Sequence, residues 1–233
     1  MTETVVIMAA GRGTRMGELT ADRPKHLLPV LGRPFLDHTL DRLRTAGFRE
    51  TIIVTGHKNH AFAPYEQMPG IRLVEQQQLH HRYGTAAAVE TVKSLVGDRV
   101  FAVIAGDNLY GANDLRKMTI DSDSIWVGGY KTAAWQGFGI LKLTEDGLLD
   151  RIVEKPTTFV GDLVNASIYL FTPKIFEAIE SIGLSPRGEY ELTDAVNVVA
   201  GSEPVNVFEL EDRWLDLTKP EDIAKIERAL QTK

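Results

Sequence analysis

One stretch near the amino terminus combines residue types that bind phosphate. The glycine-rich segment 9–17 reads AAGRGTRMG, and Arg23-Pro24-Lys25 follows it closely. Glycine has no Cβ, so backbone N–H groups in such a segment can approach phosphate oxygens. Between Gly11 and Arg33 lie five basic and two acidic residues, although the whole chain has a net charge of −6. This local reversal of charge indicates a small anionic ligand, with a solvated basic surface as the alternative.

Two aspartates that are far apart in the sequence are candidate ligands of a divalent cation. Asp107 follows a buried apolar run and Gly106, and Asp216 lies in the segment 214–217, WLDL. Mg²⁺ at a phosphate site is usually held by one or two carboxylates together with phosphate oxygens and water. Taken singly, each aspartate is better explained as the cap of a loop or a helix.

The first half of the chain alternates short apolar runs with helical patterns, and this alternation predicts a parallel, doubly wound sheet. The predicted strands are Thr4–Ala9, Thr51–Thr55, Ile71–Val74 and Val100–Ala105. The predicted helices between them are Pro34–Ala46 and Thr85–Val96. Ligands of parallel sheets bind at the carboxyl ends of the strands, where the glycine-rich segment and Asp107 fall.

The second half has more strand-like segments and adds mixed or antiparallel strands to the same sheet. Its predicted strands are Ile125–Tyr130, Phe138–Leu143 and Leu163–Phe171, and its predicted helices are Lys174–Ile182, Leu192–Ala200 and Glu221–Leu230. No Ser/Gly-rich linker, repeat or low-complexity stretch interrupts the sequence. We therefore expect one α/β domain over 1–233, with a Rossmann-like, doubly wound mixed sheet.

The composition excludes several classes of protein. The chain has no cysteine, which rules out disulfides and thiolate metal sites and fits a cytoplasmic location. A pI near 5.6 argues against a nucleic-acid surface. No apolar run reaches the roughly 18 residues that span a membrane, and the amino terminus lacks the features of a signal peptide. The oligomeric state stays open, with a homo-oligomer as one possibility.

The glycine-rich segment fits neither of two common nucleotide-binding motifs. Its third glycine comes one place late for the dinucleotide-binding pattern, and the Walker spacing is absent. Together with 23–25 (RPK) and 28–30 (LPV), the segment instead resembles the signature of the sugar-phosphate nucleotidyltransferases. That family includes the glucose-1-phosphate thymidylyltransferases and the uridylyltransferases. The resemblance covers nearly the whole chain and implies the nucleotide-diphospho-sugar transferase fold.

The resemblance implies roles for the first half, 1–120, as the nucleotide-binding half. The loop residues that wrap the NTP are Ala9, Ala10, Gly11, Gly13 and Thr14. Arg15 and Lys25 neutralise the phosphates as catalytic residues. Asp107 and Asp216 hold Mg²⁺, the latter in a segment, 214–222, that resembles the family's W-L-D-x-x-x-P-E-D.

The base pocket is implied by Gly84-Thr85 and a preceding glutamine. The family places this glutamine five residues before the Gly-Thr, but here the approach is about three residues longer. Gln76 is the first choice, with Gln77 and Gln78 as rivals. The adjacent His80 and His81 are better explained by a solvated loop than by a metal site.

The second half, 121–233, is implied to bind the sugar phosphate. The residues that resemble the family's acceptor contacts are Gly139, Glu154, Lys155 and Asn165. Unaided, the segment 154–156 (EKP) is equally explained as a solvated charged turn. Ser167 stands where the family usually has glycine, so the sugar stays undetermined. The segment 188–194 also matches the family, and no catalytic role is assigned to it.

The function implied is the transfer of a nucleoside monophosphate from an NTP, dTTP or UTP, to a sugar 1-phosphate, with release of pyrophosphate. One alternative is a cytidylyltransferase for a non-sugar phosphate such as phosphocholine. Another is a non-catalytic nucleotide-sugar-binding subunit. A glycosyltransferase fits less well, because Asp107-Asn108-Leu109 lacks the usual D-x-D. Acetyltransferase activity is not expected, since no long C-terminal β-helix extension follows.

Overall fold

The structure, a computed structural model, describes residues 2–76 and 83–232. Its strands are β1 (Thr4–Ala9), β2 (Pro29–Val30), β3 (Arg33–Pro34), β4 (Glu50–Thr55), β5 (Ile71–Glu75), β6 (Phe101–Ala105), β7 (Asn108–Leu109), β8 (Trp126–Lys131), β9 (Ile140–Leu143), β10 (Leu149–Val153), β11 (Leu163–Phe171), β12 (Asn206–Glu209) and β13 (Leu215–Asp216). Its α-helices are α1 (Phe35–Ala46), α2 (Thr85–Glu90), α3 (Lys93–Val96), α4 (Ala112–Arg116), α5 (Ile175–Ser181), α6 (Leu192–Ala200) and α7 (Pro220–Gln231). Short 3-10 helices include Thr14–Thr20, Lys25–Leu27 and Asn59–Gln67.

The central sheet has nine strands in the order β10-β9-β11-β6-β1-β4-β5, with β8 paired to β11 and β12 to β8. The strands β6, β1, β4 and β5 run parallel, whereas β11 is antiparallel to β6, β8 and β9. The sheet therefore continues without a break from the first half of the chain into the second. This arrangement confirms the predicted mixed α/β sheet.

Side chains of β1 alternate between the two faces of this sheet. Val6 packs into one core with α2, α5 and α6, and Val5 and Ile7 pack into a second core with α1. Because both faces are covered by helices, a continuous apolar run forms a buried central strand. The carboxyl end of β1 leads directly into the glycine-rich segment.

The helix α1 begins and ends close to the predicted limits. Leu36, Leu40 and Leu43 are buried on one face, as the 3.6-residue period requires. Gly47 ends the helix in the left-handed conformation, with φ of 108°. The backbone N–H of Gly47 donates to the carbonyls of Leu43 and Arg44, which closes the last turn.

The predicted single helix over 85–96 is divided into α2 and α3. Val92 has φ of −94° and ψ of 0°, outside the helical range. The Thr91 hydroxyl donates to the carbonyl of Ala87 at 2.9 Å, a bond that bends helices. Two β-branched residues in succession add a low helix propensity at this point. The Ala-rich composition alone does not reveal the break.

A two-stranded antiparallel ribbon of β7 and β13 was not predicted. It pairs Leu109 with Leu215 and Asn108 with Asp216. Strands of two residues carry too little periodicity to be recognised in a sequence. The ribbon joins segments about a hundred residues apart, and both end beside the central sheet.

None of the helices in the described residues is both long enough and apolar enough to cross a membrane.

Candidate active site

Two adjoining pockets form one cleft at the carboxyl ends of the parallel strands. The glycine-loop pocket is lined by residues that include Ala10, Gly11, Lys25, Gln76 and Gly84. The carboxylate pocket is lined by residues that include Arg15, Asp107, Gly139, Glu154, Lys155, Asn165, Ser167 and Asp216. Asp107 and Thr85 line both pockets, so these two side chains lie at the junction.

The glycine-rich segment turns sharply as it leaves β1. Gly13 has φ of 66°, and a Cβ there would lie 3.0 Å from Cβ of Lys25. Among the described loop residues, Ala10, Gly11 and Arg15 line the cleft, whereas Ala9, Gly13 and Thr14 stand back from it. The close packing at Gly13 brings the loop against Lys25, so this glycine shapes the site indirectly.

The side chains of Lys25 and Asp107 form an ion pair at the floor of the cleft. The Lys25 side chain is only 10% exposed. Burial alone would raise the pKa of Asp107, but the charge and hydrogen bond of Lys25 outweigh it and hold that pKa below its usual value. Asp107 is therefore an ionised carboxylate at neutral pH.

Asp216 reaches the same pocket through the β7–β13 ribbon. The backbone N–H of Leu217 donates to the carbonyl of Asp107 at 2.8 Å, which ties the two segments together. Burial and the negative charge of Asp107 raise the pKa of Asp216 to about 6. The Thr218 hydroxyl donates to Asp216 Oδ2 at 2.6 Å and opposes this rise.

Asp107 and Asp216, the two residues predicted to bind a divalent cation, line the same pocket. The negative charge of Asp107 disfavours the ionised form of Asp216, and a cation bound by both would relieve that repulsion. The described residues contain no cluster of three or more His, Cys, Asp or Glu side chains able to hold a metal. A set of two carboxylates suits Mg²⁺, which keeps several water and phosphate ligands.

The far wall of the carboxylate pocket is an ionic network around Glu154. Arg187 Nη1 donates to Glu154 Oε1 at 3.1 Å, and Arg187 Nε donates to Glu191 Oε1 at 3.0 Å. The Thr193 hydroxyl donates to Glu154 Oε2 at 3.4 Å. Lys155 is 48% exposed on the same wall, and its Nζ lies 3.7 Å from Glu154 Oε1, so it also belongs to this network.

Asn165 pairs with Gly129 of β8 at the edge of a β-bulge in β11, and the pairing with β8 resumes at Ile168. Asn165 is only 6% exposed. Its Nδ2 donates to the Tyr169 hydroxyl at 2.7 Å, and its Oδ1 accepts the backbone N–H of Ser167 at 3.1 Å. The amide thus holds the bulge while lining the pocket.

Gln76 and Gly84 face each other in the glycine-loop pocket, with Gln76 Nε2 donating to the Gly84 carbonyl at 3.5 Å. Gly84 has φ of 133°, and a Cβ there would meet the Tyr190 carbonyl at 2.4 Å. Only glycine fits this approach. The rival glutamines 77 and 78, and His80 and His81, lie outside the described residues.

Residues 4–233 match the Nucleotidyl transferase family. The chain belongs to this family. The bifunctional protein GlmU of Methanocaldococcus jannaschii is 33% identical over 228 residues, which cover 98% of this chain and 54% of GlmU. The UTP–glucose-1-phosphate uridylyltransferase AglF of Haloferax volcanii is 30% identical, with 97% of this chain and 96% of AglF covered. The chain thus spans about half the length of GlmU.

A crystal structure of UDP-glucose pyrophosphorylase complexed with UDP-glucose superposes with a TM-score of 0.88 at 23% identity. The match covers 99% of this chain and 98% of that one. At this level of identity the likeness shows the fold. Within the family fold, the cleft described above is formed by strand ends and loops from both halves of the sheet.

Three residues of this nucleotidyl transferase site were not singled out from the sequence. Arg187 carries the charge network, Tyr110 fixes the bulge, and His26 lines the glycine-loop pocket beside Asp107. Burial lowers the pKa of His26 to about 3, so its ring is neutral. The segment 188–194 matches the family but has no predicted role. A basic residue directly before it, Arg187, is the feature of the sequence that could have pointed to an anion-binding site there.

Proposed function

We propose that the protein transfers a nucleoside monophosphate from an NTP to a sugar 1-phosphate and releases pyrophosphate. The observation that carries the proposal is the cleft itself. It joins a glycine-lined pocket to a pocket of cations and hydrogen-bonding groups, with Asp107 at the junction. A reaction between two phosphorylated substrates needs two adjacent sites and compensating charge where they meet.

We propose UTP or dTTP as the nucleotide and a hexose 1-phosphate as the acceptor. AglF, whose name states a uridylyltransferase of glucose 1-phosphate, matches this chain along nearly its full length. Gln76 offers a side-chain amide to the base, and Glu154 offers carboxylate oxygens to sugar hydroxyls. The described lining of both pockets is consistent with this assignment.

Asp107 and Asp216 would hold Mg²⁺, which when bound supplies charge neutralisation between the phosphates of the two substrates. The two carboxylates suit this role because they line the same pocket, where the negative charge of Asp107 disfavours ionisation of Asp216. Lys25 holds Asp107 ionised and therefore ready to bind a cation.

Three basic side chains of the carboxylate pocket would bind the phosphates of the two substrates. Arg15, at the mouth of the carboxylate pocket, would stabilise negative charge on the departing pyrophosphate. Lys155 and Arg187 would bind the acceptor phosphate, with Glu154 and Glu191 orienting the guanidinium. The acceptor phosphate oxygen attacks the α-phosphorus, and the bond from that phosphorus to the β-phosphate oxygen breaks.

The acceptor requires no general base. A phosphate monoester has a second pKa near 6, so it is largely dianionic at neutral pH and is already a nucleophile. Catalysis then consists of alignment and charge compensation, with no covalent enzyme intermediate. We also propose a cytoplasmic location, in keeping with the absence of cysteines.

Pyrophosphate release, measured for the four ribonucleoside triphosphates and dTTP against a panel of sugar 1-phosphates and phosphocholine, tests the proposal. We expect release with UTP or dTTP and a hexose 1-phosphate, and its loss when EDTA replaces Mg²⁺. Release with CTP and phosphocholine alone would contradict it. No release under any combination, from a protein that binds UDP-glucose, would identify a non-catalytic binding protein.

A further inference from the structure

We propose that Ser167 determines acceptor specificity, with its hydroxyl hydrogen-bonding a ring hydroxyl of the sugar. The inference rests on the proposed function and adds a contact to it. Three observations support it: a left-handed backbone at a serine, hydrogen bonds that fix this backbone, and the position of the side chain in the carboxylate pocket.

Ser167 adopts a conformation that side chains disfavour. Its φ is 53°, and it lies in the β-bulge where β11 shifts register against β8. The other described non-glycine residues with positive φ are Leu31, Lys58 and Lys155. Lys155 lines the same carboxylate pocket as Ser167. Such strained residues cluster where a ligand is held, because the fold tolerates them for the sake of the site.

The bulge is fixed from both sides. The hydroxyl of Tyr110, which is fully buried, lies 2.8 Å from the carbonyl of Ala166 and 2.9 Å from that of Ser167. Asn165 Oδ1 accepts the backbone N–H of Ser167. A neighbouring strand and two side chains therefore impose the left-handed turn, and Ser167 does not adopt it through local preference.

The consequence of this turn is the direction of the Ser167 side chain. Two successive residues of the bulge escape the alternation of a regular strand, so Ser167 lines the pocket beside Asn165 and Tyr169. Both polar ends of the Asn165 amide are engaged in the protein. The Ser167 hydroxyl interacts with Tyr169 and opposes the rise in the Tyr169 pKa that burial causes, yet its oxygen has two lone pairs and one proton. It therefore retains capacity for a ring hydroxyl of the acceptor.

Two substitutions separate the effect of the Ser167 hydroxyl from that of its strained backbone. Ser167→Ala keeps the Cβ and the strain but removes the hydroxyl, whereas Ser167→Gly removes the hydroxyl and relieves the strain. Leu31→Gly is the matched control, because Leu31 has φ of 49° in the turn between β2 and β3, away from the cleft. Each variant is assayed for pyrophosphate release with glucose 1-phosphate and its monodeoxy analogues, and its Tm is measured.

We expect Ser167→Ala and Ser167→Gly to raise the KM for glucose 1-phosphate about three- to tenfold, as loss of one hydrogen bond predicts. The KM for the NTP should stay unchanged, and Leu31→Gly should alter neither constant. The Tm of Ser167→Gly should equal or exceed that of Ser167→Ala. One monodeoxy analogue should bind wild type and Ser167→Ala equally, which identifies the hydroxyl that Ser167 contacts.

Equal acceptor constants for wild type, Ser167→Ala and Ser167→Gly would overturn the inference while leaving the proposed function intact. A parallel rise in both substrate constants would also overturn it, because it would show a general disturbance of the cleft. A wild-type protein that uses no sugar 1-phosphate at all would refute the proposed function, and the inference with it.

Discussion

The glycine-loop pocket lies at the carboxyl ends of parallel strands, whereas the acceptor wall of the carboxylate pocket is formed around antiparallel strands. The first is built from a turn after β1 and a close glycine approach at Gly84. The second depends on a bulge in β11 and on left-handed backbone at Lys155 and Ser167. Positive φ on the nucleotide side is thus placed at glycines, Gly13 and Gly84, whereas on the acceptor wall it is also imposed on residues with side chains, Lys155 and Ser167.

Charge is also arranged differently on the two sides. Lys25 is buried and paired with Asp107, whereas Lys155 is half exposed and Arg187 is shared between two glutamates. Lys155 is itself paired with Glu154, so the cations on both sides have acidic partners, but those of the acceptor wall are more exposed to solvent than Lys25. The following experiments test this contrast.

The largest effect is expected for Asp107→Asn, because Asp107 borders both pockets. The change removes a charge from the junction and leaves Lys25 without its ionic partner. We expect turnover to fall by about 10²-fold or more in pyrophosphate release, with the fold retained by circular dichroism. Asp150→Asn, on β10 outside both pockets, is the control and should keep wild-type turnover. Unchanged turnover of Asp107→Asn would exclude its catalytic role.

Lys155→Met should affect the KM of the acceptor and not that of the nucleotide. Loss of an accessible cation from the acceptor wall should raise the KM for the sugar 1-phosphate about tenfold or more, in keeping with the loss of a charged hydrogen bond. The KM for the NTP should change little. Lys142→Met, on neighbouring β9, is the matched control. A rise confined to the KM for the NTP would show that Lys155 acts on the nucleotide and not on the acceptor.

The pKa of Asp216 predicts the pH dependence of stability without metal. Because burial and Asp107 raise this pKa to about 6, the folded protein binds this proton more tightly than the unfolded chain. Ionisation of Asp216 therefore lowers the free energy of unfolding by up to about 3 kcal/mol above pH 6. The penalty is largely lost as the pH falls towards 4, near the ordinary pKa of an aspartate, where the unfolded chain also begins to bind the proton.

Asp216→Asn should accordingly raise the Tm in EDTA at pH 7.5 and change it little at pH 4. Denaturation curves at both pH values, with Asp150→Asn as control, measure this effect. A lower Tm for Asp216→Asn at pH 7.5 would show that its carboxylate stabilises the fold.

The smallest effect is expected for Thr85→Val. Thr85 lines both pockets and therefore connects the two sides of the cleft. The Thr85 hydroxyl accepts the backbone N–H of Leu192 at 2.9 Å, the first residue of α6. Its loss should destabilise the fold by about 1 kcal/mol and raise both substrate constants about threefold. Thr85→Ser, which keeps the hydroxyl, should restore both. A change in the KM of only one substrate would contradict the proposed coupling of the two pockets through Thr85.

The sequence was most informative where one pattern determines one element. The limits predicted for β1, an apolar run, and for α6 are those of the structure. The roles of Arg15, Lys25, Asp107 and Asp216 came from a resemblance, and the structure places all four around one cleft. Their chemical roles stay predictions.

Other features depend on contacts that no local pattern contains. The β7–β13 ribbon and the Tyr110 contacts with the bulge join segments remote in sequence. The strain at Ser167 is imposed by those contacts, so the residue looked like a simple replacement of glycine. The break in the helix at Val92 also arises from a hydroxyl that competes for a carbonyl.

The β7–β13 ribbon has a consequence for the order in which the molecule assembles. During synthesis from the amino terminus, the four parallel strands can pair long before Asp216 is added to the chain. Closing a loop of that length costs entropy, which the paired ribbon, the Leu217–Asp107 bond, the backbone bonds to the Asp114 carboxylate and the burial of Leu217 beside Leu109 offset. A nascent chain can therefore pair its four parallel strands β1, β4, β5 and β6 while the cleft still lacks one of its carboxylates.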